Sequence, residues 1–193
     1  MLKNKKKTPM IHSIKIDEKG NMDVELENIT SLTVKYYLID AEILFSRSPF
    51  VKDEAKQFSF VKPFMKVEHS GSKIPMPAEL SGKNVVIEVN SDDLQEFRTF
   101  YSSSLKLSIN EDFGELRVYH NEKALSKVYV KVFCKTHHGQ ENFYRDGFTD
   151  IRGKFEYANA SGKSLDNIKK FAILVTDDRY GAIIKEANLP KKK

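Results

Sequence analysis

The sequence predicts an all-β chain: two tandem antiparallel β-sandwiches with few short connecting helices. Three observations carry that prediction. Apolar residues alternate with polar ones in many short runs, as with Met22, Val24 and Leu26 against Asp23, Glu25 and Glu27, and period two marks a strand with one buried face. The runs recur at roughly ten-residue spacing between turn residues, the rhythm of a sandwich. No long stretch shows the 3.6-residue apolar period of an amphipathic helix.

Taken in order, Ile14 and Ile16 start a strand that turns at Lys19, Gly20 and Asn21 into the alternating run 22–27. Residues 33–45, rich in β-branched and aromatic side chains, suit a strand crossing a whole sheet. Residues 62–83 hold Pro63, Pro75, Pro77, Gly71 and Gly82 and suit an exposed excursion. Strands follow at 84–89 and 104–109, with a helical turn expected over 92–100. Asn110, Glu111, Asp112, Phe113 and Gly114 form a polar turn cluster, where a domain boundary is expected. Further strands fall at 115–119, 127–134, 142–145, 154–157, 171–176 and 182–185, and Ser164 and Asp166 suit the cap of a helical turn over 164–169. The resulting division is a basic flexible tail at 1–9, sandwiches at 10–110 and 111–189, and a basic tail at 190–193.

Composition narrows the function. Of 193 residues, 40% are hydrophobic, with 13 Phe and 8 Tyr, enough for buried cores. The single cysteine excludes an intramolecular disulfide framework and multi-cysteine zinc modules. The net charge is +5, but Lys3, Lys5, Lys6, Lys7, Lys191, Lys192 and Lys193 sit in the tails. Setting these seven aside leaves 25 basic residues facing 27 acidic ones. The six arginines are scattered, so nucleic-acid binding lacks its usual folded basic face. The basic start is followed by no apolar run of signal-peptide length, and no run reaches the ~18 apolar residues of a membrane span. The expectation is a cytoplasmic chain, unless it is a fragment of a longer secreted protein.

The second half carries a specific pattern. Leu116 and Val118 precede Ala124 and Leu125; Val128, Val130 and Val132 alternate with Tyr129, Lys131 and Phe133; then come Thr149, Asp150, Gly153 and Phe155. This half resembles the carboxypeptidase regulatory-like (transthyretin-like, prealbumin-like) β-sandwich, whose pattern runs "G-x-P-L", "V-x-V-x-V", "T-D-x-x-G-x-F". Ala124 departs from it where the family has Pro. Thr149 and Asp150 suit a turn in which short polar side chains bond local backbone, Gly153 a left-handed or tightly packed position, and Phe155 a return to the core. In the first half, the run from Val34 to Phe50 is similar to a strand and loop of macroglobulin-type (fibronectin-III-like) sandwiches. Such domains are commonly accessory modules, and nothing catalytic transfers through either resemblance.

The candidate chemistry is sparse. Cys134, His137 and His138 are the soft ligands, but adjacent extended residues point to opposite sides, and the simpler reading is a hairpin with a buried thiol. Cys134 and His137 lack the context of a nucleophile and base, and Ser102, Ser103 and Ser104 lie outside any G-x-S-x-G elbow. Asp92, Asp93, Asp146, Asp150, Asp177 and Asp178 read as turn residues, with Ca²⁺ ligation of some of them the alternative. No catalytic residue, metal site or cofactor is assigned. The aromatics Phe50, Phe58, Phe60 and Phe64 are the candidates for a partner-facing patch, against packing between the sandwiches. The function read from these features is a non-enzymatic interaction or structural module binding protein partners within a larger protein or assembly. An accessory region of a peptidase or other large multidomain enzyme is one alternative. Electrostatic binding to acidic surfaces or nucleic acid through the lysine tails is another.

Overall fold

The computed structural model describes residues 7–50, 62–161 and 165–191. Contacts divide the chain into two units, one of Met1–Ile39 with Asp53–Ser102 and one of Asp40–Lys52 with Ser103–Lys193. Among the described residues no helix is long and apolar enough to cross a membrane.

The first unit is a sandwich of two antiparallel sheets. β1 (Met10–Ile16), β2 (Met22–Glu27) and β5 (Lys73–Ile74) form one, and β3 (Ser31–Leu38), β4 (Met65–Ser70), β6 (Val85–Ser91) and β7 (Leu94–Phe100) form the other in the order β4-β3-β6-β7. The alternation does what period two demands. Met22 and Val24 of β2 face Leu32, Val34 and Tyr36 of β3 and Val85, Ile87 and Val89 of β6 across a closed core. The turn between β1 and β2 is held by Asp17, whose carboxylate accepts the Lys19 and Asn21 amides at 2.8 and 2.9 Å.

Three expectations change over residues 33–100. The strand expected over 33–45 ends at Leu38, and a helix, α1 (Ala41–Arg47), follows. Asp40 caps it by accepting the Ile43 amide at 3.0 Å, and Ala41 and Phe45, four apart, bury one face. The helical turn expected over 92–100 is strand β7, joined to β6 by a two-residue hairpin connection in which Asp92 takes φ 48°. The excursion over 62–83 contains strands β4 and β5 and a 3-10 turn at Ala78–Leu80, and it buries Ile74 and Leu80.

The second unit is also two sheets. β9 (Glu115–His120) pairs with β8 (Lys106–Asn110), β10 (Lys123–Ala124) and β13 (Lys154–Glu156). Opposite lie β12 (Glu141–Phe148), β11 (Tyr129–Thr136), β14 (Ile168–Asp177) and β15 (Gly181–Ala187) in that order. Val128, Val130 and Val132 join Leu116, Val118, Tyr157, Phe171 and Ile173 in the core. The division falls between Ser102 and Ser103 rather than at 110/111. The reason is that β8 lies along β9, sending Leu107 and Ile109 inward against this core. The end of the chain is not all solvated tail: Pro190 is buried and Lys191 pairs with Asp112 at 2.8 Å. Over 164–169, Ile168 onward is strand, and its amide bonds the Leu165 carbonyl at 3.0 Å.

Candidate interaction surface

The loop before β13 is a structural clamp built on Thr149. Its hydroxyl donates to the Leu125 carbonyl at 2.6 Å and accepts the Val128 amide at 3.1 Å. Its own amide and carbonyl bond Val128 and Lys127 at 3.0 and 2.9 Å. Asp150 accepts the amides of Arg152 and Lys154 at 2.8 and 2.9 Å. The Lys154 amide leads the hydrogen bonds that hold its carboxyl below the ordinary carboxylate range. Gly153 has φ +70° and a Cβ there would stand 2.7 Å from the Val118 carbonyl oxygen, so only glycine fits. Phe155 is in the core. These four residues close the sandwich, and Leu125, partly buried, packs against the same core.

The aromatic candidates separate. Phe50 is half-buried with Lys135 and Lys170 near its ring, 5.5 and 5.4 Å from its centroid. Phe64 is 52% exposed, just before β4. Phe58 and Phe60 lie outside the described residues.

A surface not singled out from the sequence lies on the outer face of the β12-β11-β14-β15 sheet. There α1 seats Phe45 edge-on against Phe133, 5.6 Å between centroids, and Glu42 pairs with Lys131 at 3.0 Å. Beside it, the faces of β11 and β12 match rung by rung. Lys135 meets Glu141 at 3.1 Å, Phe133 meets Phe143 at 5.9 Å, Lys131 lies opposite Asp146, and Tyr129 meets Phe148 at 5.5 Å. Phe143 and Phe148 remain 53% and 64% exposed.

The candidate chemistries resolve into local structure. Cys134 is buried in the core, while His137 and His138 lie exposed at the far end of β11. Among the described residues no three His, Cys, Asp or Glu side chains converge on a metal position. Asp146 accepts the Tyr129 hydroxyl at 2.8 Å, and Asp177 binds the Arg179 guanidinium at 2.9 and 3.0 Å. Ser104 does meet a histidine: its hydroxyl lies 3.2 Å from His120 Nδ1. That same nitrogen is 3.3 Å from the Ser104 carbonyl, and the ring stacks on Tyr180 at 3.9 Å. Nδ1 bonds the carbonyl when it carries the proton and the hydroxyl when it does not, and either contact holds the ring in place against Tyr180.

Among the described residues Glu88 is the buried charged side chain, 2% exposed. It accepts Tyr37 Oη, Asn90 Nδ2 at 2.9 Å, Gln95 Nε2 at 2.8 Å and Lys35 Nζ at 3.4 Å. Desolvation pushes its carboxyl up, but these hydrogen bonds and the Lys35 charge outweigh it, and the group titrates below its ordinary range. Both carboxylate oxygens are hydrogen-bonded within the sheet, as in a structural carboxylate.

Fold and surface together define a class: two Ig-like β-sandwiches in tandem, with exposed apolar sheet surface. Comparison with known proteins gives the class its particulars. Residues 11–87 match the family model described as the AbpF seventh immunoglobulin-like domain, and residues 104–192 the one described as the AbpF C-terminal domain. Actin-binding protein F of Dictyostelium discoideum is 39% identical over 185 residues, covering 92% of this chain; the chain spans 8% of that protein's length. The crystal structure of native alpha-2-macroglobulin from Escherichia coli, spanning domains NIE-MG1, superposes with a TM-score of 0.57 at 10% identity, covering 97% of this chain and 99% of that one. That likeness concerns fold, and supports the macroglobulin-like sandwich. The carboxypeptidase regulatory-like description of the second half has no support in these comparisons, which describe that half as Ig-like.

Proposed function

We propose that this chain is a non-catalytic protein-interaction module that works on actin filaments in the cytoplasm. The observation that carries the reading is the 39% identity with actin-binding protein F over 185 residues, running through both units. The geometry supports an interaction role, since the polar clusters are closed on local partners while large apolar side chains stand exposed on the second unit's sheet. Surface complementarity, rather than chemistry on a bound substrate, is then the mechanism.

Cosedimentation tests the reading. The 193-residue chain is spun with filamentous actin at increasing filament concentration and moderate salt. Saturable pelleting supports it. No pelleting at filament concentrations on the order of 50 μM, where a Kd of tens of micromolar would still show, overturns filament binding. Replacing Lys3, Lys5, Lys6, Lys7, Lys192 and Lys193 by glutamine separates the tails from the folded surface. If pelleting vanishes with them and falls steeply with salt, the tails act as a simple electrostatic tether.

A further inference from the structure

We propose that the open edge of β12 is a strand-addition site for an extended partner segment that alternates basic and apolar side chains along one face. Among the described residues β12 pairs with β11 alone and ends its sheet. An end strand presents a row of backbone donors and acceptors to a further strand.

The side chains specify what that strand carries. β12 has a bulge: Val132 pairs with Arg145 and Phe133 with Phe143, leaving Tyr144 unmatched. Tyr144 packs on Phe171 of the core, 5.0 Å between centroids. With the bulge absorbed, the outer face reads Glu141, Phe143, Asp146, Phe148, acid and aromatic in strict alternation. β11 supplies the complement on one side: Lys135, Phe133, Lys131, Tyr129. A strand on the other side meets the same acids and the exposed halves of the same rings. Asp146 is the strongest determinant. It takes a hydrogen bond from Tyr129 and, among the described residues, no ion pair, since Lys131, opposite, is held by Glu42. A carboxylate with no ion pair among the described residues thus sits between two exposed phenylalanines, and opposite-charge cross-strand pairs are favourable where like charges are not.

The alternation also disfavours a second copy of the chain. In an antiparallel pair of β12 edges, setting Phe143 opposite Phe148 sets Asp146 against Asp146. Setting Phe143 opposite Phe143 sets Glu141 against Asp146. A parallel in-register pair stacks each acid on itself.

The inference rests on the interaction-module reading but not on filament binding, and its test contains no actin. The probe is a labelled nine-residue peptide with Lys and Phe alternating on one face and Thr on the other. Its counterpart carries Glu for Lys. Binding to the 193-residue chain is followed by fluorescence anisotropy. The Lys peptide should bind on the order of tenfold more tightly than the Glu peptide, since the cross-strand pair at Asp146 turns from attractive to repulsive while Glu141 is already paired with Lys135. Asp146→Lys should reverse the preference. Phe148→Ala, which removes only an exposed ring, should weaken the Lys peptide while keeping the preference, and serves if Asp146→Lys fails to fold. Equal binding of the two peptides, or a preference that Asp146→Lys leaves untouched in a folded protein, overturns the proposal. So does unchanged binding by Phe148→Ala, or a concentration-dependent dimer that Phe148→Ala abolishes.

Discussion

Replacing Thr149 by valine isolates one hydroxyl in the clamp before β13. Valine matches threonine in shape, and Thr149 is buried, so the change leaves no cavity to argue over. What it removes is the partner of two backbone groups, the Leu125 carbonyl and the Val128 amide. A buried backbone group left without a partner costs roughly 1–3 kcal/mol, so the pair should lose about 3 kcal/mol once the eased desolvation of the side chain is allowed for. On a unit of this size that is a fall in midpoint temperature of roughly 12–24 °C. Thr149→Ser keeps the hydroxyl and should lose about 1 kcal/mol for the methyl. Urea unfolding followed by circular dichroism and tyrosine fluorescence, with no tryptophan to mask the eight tyrosines, gives the stability. Amide exchange at Val128 localises it. The reasoning fails if valine costs no more than serine, or if the Val128 amide stays as protected in the valine variant as in the parent.

Three other perturbations follow from the same structure. Gly153→Ala meets both a left-handed backbone and the Val118 carbonyl, whereas Gly139→Ala has φ +84° but nothing within 4 Å. The first should cost at least ~2 kcal/mol and the second about 1 kcal/mol in paired denaturation curves. Phe45→Ala empties the seat of α1 against Phe133, where Phe45 is 1% exposed, and should cost about 3–5 kcal/mol in the same assay. Glu88 titrates lower folded than unfolded, so its stabilisation is complete above the unfolded value and lost as pH falls through the folded one. Urea midpoints measured from about pH 6 down to 3 should fall less steeply in Glu88→Gln than in the parent.

The parts of the fold legible in the sequence are those where one rule acts alone. Met22 and Val24, or Val128, Val130 and Val132, alternate cleanly because one face meets a core and the other does not. Where two rules compete, the reading failed. Residues 33–45 are β-prone by composition, yet the Asp40 cap and the spacing of Ala41 and Phe45 stop the strand at Leu38. Asp92 and Asp93 suit a helix cap and a hairpin turn equally, and only the pairing of Ser91 with Leu94 decides. The boundary missed its place because the partner of β8 is a long-range choice made by Leu107 and Ile109. The Asp150 turn with Gly153 follows from local chemistry, whereas the Thr149 hydroxyl bonds Leu125 and Val128, more than twenty residues earlier, which no local rule reaches. Phe143 and Phe148 were overlooked because the Tyr144 bulge breaks the period-two count across β12. The signal was there in the neighbouring strand: basic and aromatic residues on β11 oppose acidic and aromatic ones on β12.

That bulge and α1 act together on the charge of the edge. Without the bulge, Asp146 would turn inward toward the core and the outer face would lose its second acid. Without α1, Lys131 would have no Glu42 to hold it and would face Asp146 directly across the β11–β12 rung. A neutralised Asp146 has little preference for a basic strand, because a charge pair already satisfied across one side gains little from a second cation. The segment carrying Glu42 lies between β3 and β4 in sequence but belongs to the second unit by contact. The seating of that segment on β11 therefore sets the electrostatic character of the neighbouring edge strand. A loss of Glu42 should be felt at the β12 edge as weaker discrimination between basic and acidic peptides, with the exposed phenylalanines left in place.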